Sequence, residues 1–436
     1  MAAPYRPMFL AGATWAIVGV GLVGWDTGFD LTYSPFGNRW AWHGHEMVFG
    51  FAATMFAGYA LTAMPSWSNG ARMSRRAVVL LVALWLLARL TAVGVLGTDP
   101  ALVTVGTAAF MGFVALTLAR AALRSPSTKG VGFALFAMTM TGVQIVVLWG
   151  GTMPFISVLG FAALLSIVGG RMVAGFTWNR LSSPTSHEKR FRLARLYGYP
   201  SVIAILVALL LETLGATSKW IFASLAVAAA AEAIRLSLWL SKDTFKDSLL
   251  SMLILAYIWL PLGLFLVALS KAHVWMLLNS AALHSLTAGA MACSIYAVAS
   301  RAVARRADRL RPAMIDQVGF ALLWMVAVLR VFVSVDTIGH STAPLIWCMA
   351  WASFLVRHGA ALFRPTPRPI FSGPKRPAGR QPDVDHPKLR LADHRAALST
   401  SASSPYAEEA PVARLACLTD LRRRYGLVSG QNNANE

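Results

Sequence analysis

Twelve apolar runs, each near the roughly 20 residues a helix needs to cross a bilayer, set the terms for this chain. They cover residues 8–25, 46–65, 77–97, 101–122, 131–149, 154–177, 199–215, 219–240, 249–270, 274–300, 315–334 and 342–363. The expected fold is therefore all-α, a polytopic membrane bundle of about twelve transmembrane helices. Composition agrees: of 436 residues 56% are hydrophobic and only 13% charged, whereas soluble domains carry about a quarter charged residues. The first run follows Pro4, Arg6 and Pro7 without a small-residue cleavage site, so it reads as a retained span and not a signal peptide.

The loops supply an orientation. Those after the second, fourth, sixth and tenth runs carry Arg72, Arg75 and Arg76, then Arg120, Arg124 and Lys129, then Arg180, Lys189, Arg190, Arg192 and Arg195, then Arg301, Arg305, Arg306, Arg309 and Arg311. Lys242 and Lys246 follow the eighth, and the loops between have one basic residue or none. By the positive-inside rule both the N- and C-termini are cytoplasmic. The formal charge of +20 is explained by this topology together with the tail, and no nucleic-acid partner is expected.

Residues 1–364 read as the membrane domain and 365–436 as a cytoplasmic tail. Pro365, Pro367, Pro369, Pro374, Pro377, Pro382 and Pro387 break regular helix there, so the tail is expected to be largely disordered. A short basic helix over 412–427 would touch anionic membrane lipid, and the tail is also a place for a cytoplasmic protein partner. Cys293, Cys348 and Cys417 have no disulfide or zinc spacing. No repeat of fixed period is evident.

The chemistry concentrates at Trp42-His43-Gly44-His45-Glu46-Met47, at the entrance of the second run. Imidazole is the commonest ligand for copper, zinc and haem iron, and a neighbouring carboxylate commonly fixes its tautomer. If the helix begins after His45, the extended entrance puts His43 and His45 on one face, where both bind one ion. If it begins earlier, His43 shares a face with Glu46 and Met47 while His45 points elsewhere, toward a second cofactor. The orientation places Asp26, Asp30, Phe29, Tyr33, Phe36, His273 and His340 at the same outward face. His284 lies eleven residues into the tenth run, about 16 Å below that face, among Ser285, Ala288, Gly289 and Ala290. An ionisable group at such depth marks a functional site or a histidine satisfied by Thr287 or a carbonyl. Arg89, Gln144, Arg171, Glu212, Glu232, Arg235 and Arg330 are the other intramembrane polar residues. The arginines suit either haem propionates and substrate anions or interhelical ion pairs with Glu212 or Glu232, and Gly169-Gly170 opens space beside Arg171.

Tyr5-Arg6-Pro7-Met8-Phe9-Leu10, the stretch Trp42 to Phe51, Ala57 to Trp67, Gly170-Arg171-Met172 and His284-Ser285-Leu286-Thr287-Ala288-Gly289-Ala290-Met291 occur in the order found in NnrS proteins. From the N-terminus to about Arg368 the chain resembles that family. The resemblance implies a twelve-span protein of the bacterial inner membrane that binds haem and copper and acts in the response to nitric oxide during denitrification or nitrosative stress. It also implies that His43, His45 and His284 are ligands, with Glu46 behind them and Arg171 as a cofactor-binding neighbour. Two departures stand out. Arg306 occupies a position where the family has histidine, and Met172-Val173-Ala174-Gly175-Phe176-Thr177 lacks the family's proline.

Three functional classes follow: a haem and copper protein that binds nitric oxide or limits its damage to iron sites, a twelve-span secondary transporter, and a sensor or a factor delivering haem or copper. A haem-copper oxidase core is excluded, because no adjacent His-His pair occurs.

Overall fold

The computed structural model describes residues 3–25, 34–68, 72–150, 154–179, 184–272, 279–306, 313–333 and 340–363. All lie in one compact unit, Met1–Lys375. The expected tail, its helix at 412–427, Asp26, Phe29, Asp30, Tyr33 and His273 lie outside the described residues, as do the side chains of Arg306 and His340.

Among the described residues the secondary structure is helical throughout, with no strand. Helix α1 is Tyr5–Gly24. Helix α2 runs from Arg39–His45 through a π-helical turn, Glu46–Ala52, into Ala53–Ala63. Helices α3 (Arg75–Ala92), α4 (Pro100–Arg124) and α5 (Thr128–Gly150) follow. Helix α6 joins Pro154–Leu164, a π-helical Leu165–Gly169 and Gly170–Trp178. Then come α7 (Pro184–Thr213), α8 (Ser218–Trp239) and α9 (Ser248–Lys271). Helix α10 joins Asn279–His284, a π-helical Ser285–Ala292 and Cys293–Arg306, and α11 (Met314–Phe332) and α12 (His340–Phe363) complete the set. Short polar caps fix several starts: the side chains of Ser74, Asp99 and Asp247 accept from backbone N–H groups of the first turns of α3, α4 and α9.

Eleven helices among the described residues are long and apolar enough to cross a membrane. The remaining expected span is α3, 18 residues long and containing Arg75, Arg76 and Arg89. The first two open the helix, and Arg89 is buried against its neighbours, where a cation is tolerated only with a partner.

The backbone carries a repeat that the residues conceal. The three π-turns begin at Glu46, Leu165 and Ser285, 119 and then 120 residues apart. Each falls in the second helix of a four-helix unit: α1–α4, α5–α8 and α9–α12. In every unit the third helix packs on the fourth, as α3 on α4, α7 on α8 and α11 on α12. The fourth then packs on the first helix of the next unit, α4 on α5, α8 on α9, and α12 back on α1. Among the second helices, α6 touches both α2 and α10. A repeat of fixed period is therefore present, contrary to the sequence expectation. Its main trace in the residues is a glycine at the fifth position of each π-turn, Gly50, Gly169 and Gly289.

A π-turn loosens the helical ladder, and in lipid every freed carbonyl needs another donor. Gly50 O accepts from Thr54 Oγ1 (2.6 Å) and from Trp85 Nε1 on α3 (3.4 Å). Ser166 O accepts from Arg235 Nη1 on α8 at 3.2 Å. In the third turn Ser285 Oγ donates to Ala282 O (2.5 Å) and Cys293 Sγ to Ala288 O (3.5 Å). The second unit is stapled further by Glu232, which accepts from Ser166, from Ser201 Oγ (2.5 Å), from Arg235 Nη1 (2.7 Å) and from Tyr257 OH (2.6 Å). The sequence reading offered an interhelical pair for Glu232, but its arginine, Arg235, stands three residues away on the same helix. Glu212 instead takes Lys271 Nζ at 2.6 Å.

Candidate functional site

The start of α2 decides how the histidine motif is displayed. Asn38 Oδ1 accepts from the backbone N–H groups of Trp40 (3.1 Å) and Ala41 (2.8 Å), capping a helix whose first residue is Arg39. His43 and His45 are therefore both helical and, two residues apart, about 200° apart around the axis. Of the two arrangements open to the sequence, this is the second, and it sends the two rings into different surroundings.

His45 enters a closed hydrogen-bond set. Its Nδ1–H donates to Glu46 Oε1 at 2.8 Å, and its Nε2 accepts from the Gln144 side-chain amide of α5 at 3.1 Å. Gln144 Nε2 also donates to Thr107 O of α4 at 3.3 Å, and the other Glu46 oxygen takes Arg89 of α3. His45, Glu46, Arg89 and Gln144 are all buried, and Phe36 and Phe49 close over the His45 ring at 4.5 and 5.1 Å between centroids. Both nitrogens of His45 are used, and Gln144 occupies the position a metal would need. Glu46 pairs with His45 and Arg89, not with His43. Gly50 makes this possible: a Cβ there would lie 2.5 Å from Trp15 Nε1 and would also strike the Arg89 guanidinium.

His43 turns instead toward His284 of α10. The ring centroids are 6.4 Å apart with planes inclined by 23°. Ser280 O can only accept, so the 2.6 Å contact fixes the proton of His284 on Nδ1 and leaves a lone pair on Nε2. His43 Nδ1 is buried without a hydrogen-bond partner. Each ring thus has a nitrogen with no hydrogen-bond partner among the described residues, and the two rings stand side by side.

The expected carbonyl partner of His284 exists, and it satisfies only one of the two nitrogens. His284 closes the first described segment of α10, Asn279–His284, and the start of the expected run, at residue 274, lies outside the described residues. Met47 packs its methyl against Gly19 of α1. Arg171, the second residue of the last segment of α6, is exposed.

Among the described residues no group of three or more His, Cys, Asp or Glu side chains is placed to hold a metal ion. A tetrahedral all-protein site is thus not formed there. A pair of imidazoles would suit haem iron or copper, and His43 and His284 are the residues that would hold it. The residues therefore fit a group held by His43 and His284 and do not fit one held by His45. The sequence did not mark Gln144 as the partner of His45, nor Arg89 as that of Glu46. Their only signal was polarity inside an apolar run.

This geometry separates two roles for the motif histidines. His45→Asn keeps an N–H donor toward Glu46 while removing the imidazole, so the purified variant is expected to retain wild-type iron and copper content and visible spectrum. A loss as complete as that caused by removing His43 would make His45 a ligand.

A family model described as NnrS protein matches residues 1–366 of the chain. No curated protein matches it.

Proposed function

Because this chain belongs to the NnrS family, we propose that it is a haem- and copper-binding membrane protein of the nitric oxide response, with a cofactor held between His43 and His284. The observation that carries this reading is the approach of those two imidazoles at 6.4 Å. The free Nε2 lone pair of His284 and the unpartnered Nδ1 of His43 support it. A bound iron or copper supplies a centre that coordinates nitric oxide or exchanges electrons. The chain's own part is to hold the two rings at fixed separation on different four-helix units and to enclose them among apolar helices. Nitric oxide is small and uncharged, so it reaches such a site through lipid without a polar channel.

The setting is the bacterial inner membrane, with both termini cytoplasmic by the charge of the loops. The threefold repeat of four helices weighs against the transporter reading, since many secondary transporters with twelve spans are built from two related halves. A role in delivering haem or copper, or in sensing, uses the same two ligands and differs only in the fate of what is bound.

The test is a visible spectrum of detergent-purified protein, oxidised and reduced, before and after nitric oxide, with metal analysis of the same sample. A Soret band that shifts on adding nitric oxide is expected. Fully loaded protein with neither haem nor copper would sink the proposal and return the transporter reading.

A further inference from the structure

The repeat makes the first and third units comparable at the histidine site, and they differ in one charge. His45 and His284 each stand immediately before the π-turn of their unit. The next residue is Glu46 in the first unit and Ser285 in the third. The first and third units each carry an arginine late in their third helix: Arg89 is fourteen residues beyond the first residue of α3, and Arg330 sixteen beyond that of α11. The two positions differ by less than one turn in height, and α11 packs along the π-turn and first segment of α10.

In the first unit the cation is answered, because Glu46 takes Arg89. In the third, no carboxylate among the described residues answers it. Ser285 is neutral and turns its hydroxyl to Ala282 O. Among the described residues Arg330 makes no ion pair, whereas Glu46, Glu212, Glu232 and Asp316 are each paired elsewhere. Arg330 is nonetheless partly enclosed in a membrane span, where an unpaired cation is costly. Its helix packs on the segment that ends at His284 and on the π-turn that follows it, so an anion meeting Arg330 there would also border the gap between the rings.

We infer that Arg330 binds a carboxylate carried by the cofactor between His43 and His284, which takes the place in the third unit that Glu46 fills in the first. The inference rests on the reading that those two histidines hold haem, whose periphery bears two carboxylates. It makes Arg330 a cofactor-binding residue that motif comparison passes over, and it gives the cofactor one orientation, with a carboxylate edge toward α11.

The experiment reconstitutes haem-depleted full-length protein with haem and with haem whose side-chain carboxylates are methyl-esterified, and reads binding from the Soret band. Wild type is expected to prefer free haem by about tenfold or more, the scale of one charge-assisted hydrogen bond. Arg330→Gln is expected to bind both forms equally, and Arg330→Lys to recover part of the preference. If Arg330→Gln keeps the full preference, the inference fails while the haem reading stands. If wild type binds neither form, the haem reading fails and takes the inference with it.

Discussion

Replacing His43 or His284 with alanine is expected to empty the cofactor site. The purified variants should remain membrane-inserted and monodisperse, yet lose the Soret band and most bound metal. Changes to groups that merely support a metal's ligands cost about 10–100-fold in affinity, so removing one of only two protein ligands should cost more. Neither ring holds the bundle together. His43 Nδ1 has no hydrogen-bond partner, and His284 bonds only a carbonyl of its own helix, Ser280 O. The two variants should therefore fail alike in cofactor content while melting near wild type. Unchanged iron and copper in either would show that the 6.4 Å approach serves packing alone.

Removing the carboxylate of Glu46 should have the largest effect on stability. Glu46 is fully enclosed, and its two oxygens hold Arg89 and His45. Glu46→Ala leaves the Arg89 charge buried and uncompensated, and breaking a buried pair from one side costs about 3–5 kcal/mol. Set against a typical total of about 5–15 kcal/mol, that should lower the detergent melting temperature sharply or abolish recovery of folded protein. Among the described residues, Glu46 is the carboxylate that Arg89 pairs with. The double variant Glu46→Ala, Arg89→Met removes both charges and should recover much of the loss. A single variant melting like wild type would mean that water or lipid headgroups satisfy Arg89.

Much of this protein was legible in its residues because the relevant signal was local. Each span was marked by its own run of apolar side chains, which needs no knowledge of any other helix. The histidine motif was conspicuous because three ionisable groups crowd an apolar entrance. Its internal division was not legible. Whether His43 and His45 share a face depended on where α2 begins, which a single cap at Asn38 decided. The fate of His45 depended on Gln144, 99 residues away in sequence, and that of Glu46 on Arg89, 43 residues away. Neither separation leaves a pattern in one chain.

By itself, then, the sequence determined a helical membrane protein, because transfer of apolar side chains into lipid is additive along each run and needs no knowledge of neighbours. It also identified the family and singled out the histidines for which a cofactor role is proposed. Only the tertiary structure decided which of those residues act together. His43 meets His284 because α2 and α10 occupy corresponding places in a threefold arrangement of four-helix units, and that arrangement is carried by π-turns in the backbone. Its trace in the sequence is little more than three glycines about 120 residues apart, because helix packing constrains size and approach at such positions and leaves the chemistry of the surrounding side chains free to diverge.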